Sequence, residues 1–393
     1  MQRVLILDAC QRSALSVTRS LGQHHVPVIT ADSSVNALAG CSCYSSSYFK
    51  YPDPQTRPKQ FIDFLIAITQ EQDVQIIFPM TELTTTLLLE NKSKFINVTL
   101  PLSNLDAVNA ISDKSILMKT AESLHIPIPK TWYVDTPENI KTTLDCLAYP
   151  LVLKPGMSWL KHNKRWFRST VQFADDPRTA YRIVTEDPAF SAHPFMLQER
   201  VPGVGKGVFA LYNHGKAMAF FSHNRLREKP YWGGVSVLSE SAPIDSTLLA
   251  YSRQLLDSVE WHGIAMVEFK VSEDGQPYLM EINTRFWGSL QLAIDAGVDF
   301  PWLLYLITTG HDIDEVNDYK KGIRLRWLLG DLDSLYISLK SKKLSLYNKL
   351  VTLLLFLKPM NFKTRHEVNR WNDLGPFWWE IKQYIKSLIN MAA

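Results

Sequence analysis

Short apolar runs separated by amphipathic segments dominate the first 110 residues. "RVLILDA" and "VPVITAD" are typical of buried parallel strands, and "RSALSVTRSLGQHH" between them is typical of a helix. "FIDFLIAITQEQDV" followed by "QIIFPMTE" repeats this order, and "NVTLPLS" predicts one more short strand. The pattern therefore predicts an open, mostly parallel α/β sheet over residues 1–110.

Polar residues follow the predicted strands of this sheet. Ligands of open α/β sheets bind at the carboxyl ends of the strands, which makes Asp8, Asp32, Thr81 and Glu82 candidates for the rim of a site. A turn or helix cap explains Asp32 equally well. The first strand–helix turn, "LDACQRSAL", lacks the GxGxxG pattern of a dinucleotide site.

The middle of the chain changes to strands and glycine-containing bends. Residues 111–134 predict a helix that begins near Asp113 and stops at Pro127 and Pro129. "YPLVLKPGMSW" predicts a strand that reaches Lys154, and "PFMLQERVPGVGKGVFALYNHGKAMAF" predicts strands about a flexible bend. Residues 222–241 are polar and basic, and they predict a long loop.

"GIAMVEFKVSEDGQPYLMEINTR" predicts a β-hairpin, because two strand-like runs flank an Asp-Gly dipeptide. If Asp274 and Gly275 are the two central turn residues, Glu268 lies opposite Glu281, and Asn283 follows on the same face. The other face then carries the predicted core residues Val267, Phe269, Tyr278, Met280 and Ile282.

Two carboxylates that face each other repel, and a hard divalent cation is the usual remedy. Mg²⁺ prefers oxygen ligands, so Glu268, Glu281 and the amide oxygen of Asn283 predict a metal site. Arg285, next on that face, is suited to hold a phosphate or a carboxylate through two hydrogen bonds. A solvated polar face is the alternative interpretation.

Composition narrows the class of protein. The 393 residues are 46% hydrophobic, enough for two or three domains, and the net charge of +3 does not favour a nucleic-acid partner. The four cysteines have no metal-ligand spacing, which is typical of free thiols in a reducing compartment. We find neither a signal-peptide pattern nor a run near the ~20 apolar residues of a spanning helix, so a cytoplasmic protein is expected.

The motifs from 111 to 300 resemble the ATP-grasp superfamily, particularly its carbamoyl-phosphate-synthase-like and biotin-carboxylase-like branch. "VEF" with Glu268 and "MEINTR" with Glu281, Asn283 and Arg285 resemble the family's metal-binding signature. "VLKP" with Lys154 and "SDK" with Lys114 are similar to its two nucleotide-contacting lysines. "RFWGSLQLAIDAGVDFP" is similar to a segment of uncharacterised carboxylate–amine ligases.

"LQERVPG" resembles the hinge of the family, where the backbones of Glu199 and Val201 would meet adenine. The 222–241 segment resembles the loop over the substrate pocket, where Arg225, Arg227 and the Gly233-Gly234 pair would meet the nucleotide or an anionic substrate; a solvated basic loop is the alternative. The phosphate loop departs from the family, because "KPGMSWLKHNKRWF" has one glycine. Lys161, Lys164 and Arg165 would supply charge there.

The resemblance implies an ATP-grasp fold of mixed α/β and α+β class. Residues 1–110 would form the N-terminal open parallel α/β (pre-ATP-grasp) domain, and residues 111–310 the ATP-grasp domain. The latter would contain a lid subdomain at about 130–198 and a C-terminal ATP-binding subdomain. Residues 311–393, with Lys/Arg clusters between apolar segments, predict a basic helical extension. For this extension, packing on the ATP-binding domain, a homodimer contact and a peripheral membrane contact all stay open.

The implied activity is ATP-dependent ligation of a small-molecule carboxylate to an amine or a thiol through an acylphosphate. ATP and Mg²⁺ (or Mn²⁺) would be required, with Arg285 and Lys154 as catalytic residues. Lys114 and Lys154 would contact the phosphates, and Glu268, Glu281 and Asn283 would hold the metal. A non-catalytic ATP-binding regulatory or scaffold protein and a bicarbonate-using, carboxylase-like enzyme are the alternatives.

Overall fold

A computed structural model describes residues 1–136, 140–162, 165–231, 234–358 and 364–392. Its first unit is a parallel sheet of four strands in the order β3-β2-β1-β4, with helices on both sides. The predicted strands and helices of this unit are confirmed, except that "NVTLPLS" contributes only a single bridge between Thr99 and Ile76. The elements are β1 (Val4–Ile6), α1 (Arg12–Gln23), β2 (Val28–Asp32), β3 (Ser47–Lys50), α2 (Pro58–Glu71), β4 (Ile76–Phe78) and α3 (Glu82–Glu90).

Two short helices connect this sheet to the rest of the chain. They are α4 (Leu105–Ser112) and α5 (Lys114–Ser123). Asp113 caps α5 as predicted, because its Oδ1 accepts hydrogen bonds from the backbone N–H groups of Ser115 (2.8 Å) and Ile116 (3.1 Å). The cap fixes where α5 begins and therefore where Lys114 lies.

The lid is a second sheet of four antiparallel strands in the order β5-β10-β6-β9, with a separate two-stranded hairpin. Its own core contains Leu151, Leu153, Phe190 and Phe195. The elements are β5 (Thr131–Val134), α6 (Ile140–Asp145), β6 (Leu151–Pro155), β7 (Trp159–His162), β8 (Arg165–Arg168), β9 (Gln172–Ala174), α7 (Pro177–Glu186), α8 (Pro188–Ser191) and β10 (Phe195–Glu199).

The largest sheet has seven strands in the order β15-β14-β11-β12-β13-β16-β17. The predicted long loop at 222–241 is wrong: most of it forms the outer part of β12 and the whole of β13, which pair with each other. The elements are β11 (Val204–Asn213), β12 (Lys216–Lys229), β13 (Val235–Ser241), α9 (Ser246–Asp257), β14 (Gly263–Val271), β15 (Pro277–Asn283), α10 (Leu290–Ala296) and α11 (Phe300–Thr308).

The C-terminal segment is not purely helical, because two of its strands extend the large sheet. Its elements are β16 (Arg324–Arg326), α12 (Leu328–Lys340), α13 (Leu346–Leu357), β17 (Thr364–His366) and α14 (Gly375–Ala392). Among the described residues no single helix is long and apolar enough to cross a membrane. The pair α10 and α11 would pass such a test together, but these helices are bent by 89°.

Buried ion pairs attach the C-terminal segment to α1 and to α10. The Arg19 guanidinium donates to Asp373 (2.7 Å) and to the carbonyl oxygens of Glu367 and Val368. Arg370 donates through both terminal nitrogens to Asp295, at 3.0 and 2.6 Å. These contacts join the two ends of the chain into one packed body.

Candidate active site

The hairpin of β14 and β15 places Glu268 directly opposite Glu281, which is the predicted pairing. The predicted two-residue turn is wrong. The Ser272 N–H donates to the carbonyl of Gln276 (3.0 Å), so Glu273, Asp274 and Gly275 form a three-residue turn. Gly275 has a φ of +86°, which a three-residue turn with a final left-handed position requires. A β-bulge between this turn and Glu281 restores the predicted register.

The bulge changes which side chains of β15 enter the core. Beyond it, Leu279 rather than Met280 pairs with Phe269. Leu279 is fully buried, whereas Tyr278 and Met280 are only partly buried, so these two were wrongly predicted as core residues. The physical reason is that one extra residue inverts the alternation of a strand. Val267, Phe269 and Ile282 are buried as predicted.

The two carboxylates and the Asn283 amide form one polar cluster. Asn283 Nδ2 lies 3.2 Å from Glu268 Oε1 and 3.3 Å from Glu281 Oε1, so both carboxylates reach a common point. Arg285 Nη2 donates to Asn283 Oδ1 (3.3 Å), which attaches the arginine to the same cluster. A half-turn of the amide would direct Oδ1 to that point and complete a set of oxygen donors for a hard cation.

Opposite charges flank each carboxylate. Arg225 Nη2 lies 2.9 Å from Glu268 Oε2, and Lys114 Nζ lies 3.5 Å from Glu281 Oε2. Burial raises the pKa of Glu268, and the charge of Glu281 raises it further against the opposing effect of Arg225. Burial also acts to raise the pKa of Glu281, but Lys114 and Lys154 outweigh it and hold the pKa of Glu281 below its ordinary value.

The two predicted phosphate-contacting lysines approach the carboxylates from different elements. Lys154 lies on β6, paired with Met196 of β10, and is 6% exposed. Burial lowers the pKa of Lys154 to about 8, and the charge of Lys114 acts in the same direction. Lys114 is the first residue of α5, and its N–H donates to the carbonyl of Gly156 (2.8 Å). This bond fixes the chain just after Lys154 to the start of the helix.

A cavity of about 860 Å³ lies between the lid sheet and the large sheet. Its lining includes the predicted hinge residues and two of the three predicted metal ligands, Glu268 and Glu281. The Glu199 N–H donates to the carbonyl of Lys130 (3.0 Å), so the adenine contact predicted for the Glu199 backbone is restricted to its carbonyl oxygen. Residues that line the cavity include Val152, Lys154, Glu199, Val201, Arg225, Glu268, Met280 and Glu281.

A second cavity, of about 410 Å³, lies on the other side of the carboxylates, next to the first sheet. Glu281 lines both cavities, so the polar cluster lies where they meet. Arg285 Nε is 3.8 Å from Glu82 Oε1 within this second cavity. Its lining includes Gln11, Thr81, Glu82, Lys114, Trp159, Arg168, Glu281, Asn283 and Arg285.

The predicted rim residues divide into two groups. Thr81 and Glu82 line the smaller cavity. Asp8 is buried in a left-handed conformation (φ +54°), and its Oδ2 accepts hydrogen bonds from the Met80 N–H (3.0 Å) and the Thr84 hydroxyl (2.6 Å). Asp32 accepts hydrogen bonds from backbone N–H groups of neighbouring loops. The two aspartates thus hold the loops that shape the cavity.

The structure corrects the role predicted for Arg227. Its Nε and Nη2 donate to Asp331 at 2.8 and 2.6 Å, in a bidentate pair with a carboxylate that is 1% exposed. The side chain therefore points toward α12, and a nucleotide contact is not available to it. Arg225, two residues earlier, lines the larger cavity but is paired with Glu268 and Glu228.

The lid hairpin contributes residues that the sequence did not single out. Trp159 and Trp166 pack against the core of the first sheet, and Arg168 lines the smaller cavity. Lys161 and Arg165, predicted to supply charge, are exposed on this hairpin, whereas Lys164 and Gly233 lie outside the described residues. Trp159 and Trp166 lie in a segment that was expected to be rich in glycine. Their presence was the sequence signal from which a packed hairpin could have been predicted.

Comparisons with known proteins find one similar family and several similar folds. The family model described as "ATP-grasp in the biosynthetic pathway with Ter operon" matches residues 191–330, which include the predicted hinge at Glu199 and Val201, β14 and β15. This part of the chain is therefore similar to the ATP-grasp family. No curated protein matches it in a sequence comparison.

Solved structures of ATP-grasp enzymes share the fold at low sequence identity. The biotin carboxylase of Campylobacter jejuni is 14% identical, with a TM-score of 0.62 over 82% of this chain and 74% of that one. The L-amino acid ligase of Bacillus licheniformis is 14% identical, with a TM-score of 0.61 over 79% and 74%. The N5-carboxyaminoimidazole synthetase of Staphylococcus aureus is 14% identical, with a TM-score of 0.62 over 84% and 83%. These likenesses show that the chain has the ATP-grasp fold.

Proposed function

We propose that this ATP-grasp protein ligates a small-molecule carboxylate to an amine or a thiol, with ATP consumed to form an acylphosphate. The observation that carries the proposal is the cluster of Glu268, Glu281 and Asn283 at the junction of two cavities. A nucleotide in the larger cavity and a carboxylate in the smaller one would meet at this cluster, as in-line phosphoryl transfer requires.

The residues present fit Mg²⁺ or Mn²⁺. Glu268, Glu281 and Asn283 supply oxygen donors, and the cation would neutralise charge on the phosphate oxygens of ATP. Lys154 and Lys114 would contact the same phosphates as point charges. Val201 and the carbonyl of Glu199 would hold adenine at the hinge, and Arg225 keeps a positive charge beside Glu268.

Arg285 faces the smaller cavity and is the residue suited to orient the acceptor carboxylate. A carboxylate oxygen held there would attack the terminal phosphorus of ATP, the bond to the bridging oxygen would break, and ADP would leave. The resulting acylphosphate would then be attacked at its acyl carbon by the amine or thiol, with loss of inorganic phosphate. Positioning and charge neutralisation supply the catalysis, because no covalent protein nucleophile is needed.

The test is Mg²⁺-dependent ADP release by the purified chain in the presence of pooled carboxylates and pooled amines. Glu281→Gln removes a metal ligand, and Glu273→Gln makes the same change at an exposed position in the turn of the same hairpin. We expect turnover with at least one pool, lowered by about 100-fold or more in Glu281→Gln and unchanged in Glu273→Gln.

Other outcomes of this assay separate the alternatives. ADP released with bicarbonate and no amine would favour a carboxylase-like enzyme. Tight ATP binding with no turnover in any pool would favour the regulatory or scaffold alternative. Equal turnover in Glu281→Gln and the unchanged protein would contradict the role proposed for the cluster.

A further inference from the structure

Helix α13 exposes an apolar surface that the other described residues leave uncovered. Of the residues described from Leu346 to Leu357, none is buried. Leu346, Leu350, Leu354 and Leu357 are spaced four, four and three residues apart, so they form one stripe along the helix. Their side chains are 84, 56, 58 and 64% exposed.

The helix is nevertheless firmly attached to the protein. Ser345 caps its start by accepting a hydrogen bond from the Asn348 N–H (3.2 Å). At its end, Arg227 and Arg326 donate to the carbonyl oxygens of Leu355 and Phe356, at 3.2 and 3.3 Å. The exposed leucines are thus presented on an ordered helix whose backbone is held by the large sheet.

The stretch of sequence that contains this helix carries charge of one sign. Residues 334–366 contain no Asp or Glu but include six lysines and one arginine. Lys340, Lys342 and Lys343 precede the helix, Lys349 lies within it and Lys358 follows it. An apolar stripe with cationic margins matches a bilayer surface that carries anionic lipids, where leucines enter the acyl boundary and lysines meet headgroup phosphates.

A second copy of the chain would be a less favourable occupant. Because lysines lie at both ends of the helix, a two-fold contact through this stripe would bring cationic margins of the two copies together. Like charges at such an interface repel, whereas an anionic membrane complements them. We propose that α13 and its flanking lysines form a membrane-docking surface that holds this enzyme peripherally on anionic bilayers.

The experiment is co-sedimentation of the full chain with vesicles of phosphatidylcholine alone and with vesicles that also contain phosphatidylserine. Leu350→Ser/Leu354→Ser removes the middle of the stripe. Val35→Ser/Ile96→Ser is the matched control, because it makes the same chemical change at exposed positions of the first unit. Lys342→Gln/Lys343→Gln tests the cationic margin separately.

We expect binding to the anionic vesicles that weakens by about tenfold or more in the leucine variant and falls with added salt. The lysine variant should also bind more weakly, whereas the control should bind like the unchanged chain. ATP binding and the melting temperature should stay the same in all variants, because the substituted side chains are exposed and lie outside both cavities. Absence of binding to either kind of vesicle would overturn the proposal. A concentration-dependent dimer that the leucine variant abolishes, without vesicles, would overturn it in favour of a second copy.

Discussion

Glu268 and Glu281 lie directly opposite each other on neighbouring strands, and Asn283 Nδ2 lies within 3.3 Å of both carboxylates. Such a pair is unfavourable unless positive charge compensates it. Arg225 supplies that charge on the side of Glu268, and Lys114 supplies it on the side of Glu281. The carboxylates are suited to a divalent cation and the neighbouring positive charges to phosphates, so the site suits a ligand that contains both.

ATP affinity should decrease as the pH rises through about 8, because burial lowers the pKa of Lys154 to about 8. Below this pH the ammonium attracts the phosphates, and above it the neutral amine does not. We expect a weakening of about tenfold between roughly pH 7 and 9.5. Lys154→Arg stays charged over this range and should give a flatter profile. Titration calorimetry with ATP measures both, and parallel profiles would show that Lys154 does not carry the effect.

Arg227→Met should lower stability without weakening ATP binding. The substitution leaves the buried Asp331 with Arg326 as its remaining charged partner, so we expect a loss of about 1–3 kcal/mol in the free energy of unfolding. Chemical denaturation measures this loss, and titration with ATP measures affinity. Lys154→Met is the contrasting variant, since it should weaken ATP binding. A large loss of ATP affinity in Arg227→Met would instead support the nucleotide contact that was predicted for Arg227 from the sequence.

Glu380 provides a pH-dependent element of stability. Its carboxylate accepts a hydrogen bond from Trp327 Nε1 (2.6 Å), and burial raises its pKa to about 7. Because this pKa exceeds its unfolded value, the contribution is fully present below about pH 4.5 and is lost as the pH rises to about 7. Relative to Glu380→Gln, the free energy of unfolding of the unchanged chain should therefore fall by about 2 kcal/mol as the pH rises from about 4.5 to about 7. Melting temperatures at both ends measure the difference, and identical pH dependence in the two proteins would rule it out.

Arg19→Ala should destabilise the attachment of the C-terminal segment. The Arg19 and Asp373 side chains are 3% and 1% exposed, so the variant leaves a buried carboxylate without its cation. We expect a loss of about 3–5 kcal/mol in the free energy of unfolding. Lys321→Ala removes a pair whose acid, Asp318, is 95% exposed, and it should change stability by less than about 0.5 kcal/mol. Equal effects in chemical denaturation would show that the Arg19 pair does not anchor the segment.

Local patterns in the sequence were sufficient for β1, β2 and β4 of the first sheet and for the pairing of Glu268 with Glu281, but β3 was not predicted. The pairing is correct although the turn is one residue longer than predicted, because the bulge at Met280 compensates. Neither the longer turn nor the bulge has a signal in the alternation of polar and apolar residues. Tyr278 was therefore predicted on the wrong face.

Long-range ion pairs explain the errors at 222–241. Arg227 and Lys229 look like residues of a solvated loop, but they pair with Asp331 and Asp333 of α12, more than a hundred positions later in the chain. The strands that extend the sheet at Arg324–Arg326 and Thr364–His366 are only three residues long. Their pairing depends on neighbours distant in sequence, which local patterns do not report.

The paired carboxylates are tested most directly by measuring Mn²⁺ binding in the presence of ADP, with electron paramagnetic resonance used to quantify the free ion. Glu281→Gln and Glu273→Gln provide the variant and its matched control on one hairpin. We expect nucleotide-dependent Mn²⁺ binding in the unchanged chain and in Glu273→Gln, with affinity lowered by about tenfold or more in Glu281→Gln. Equal Mn²⁺ affinity in all three proteins would contradict the assignment of the paired carboxylates as a metal site.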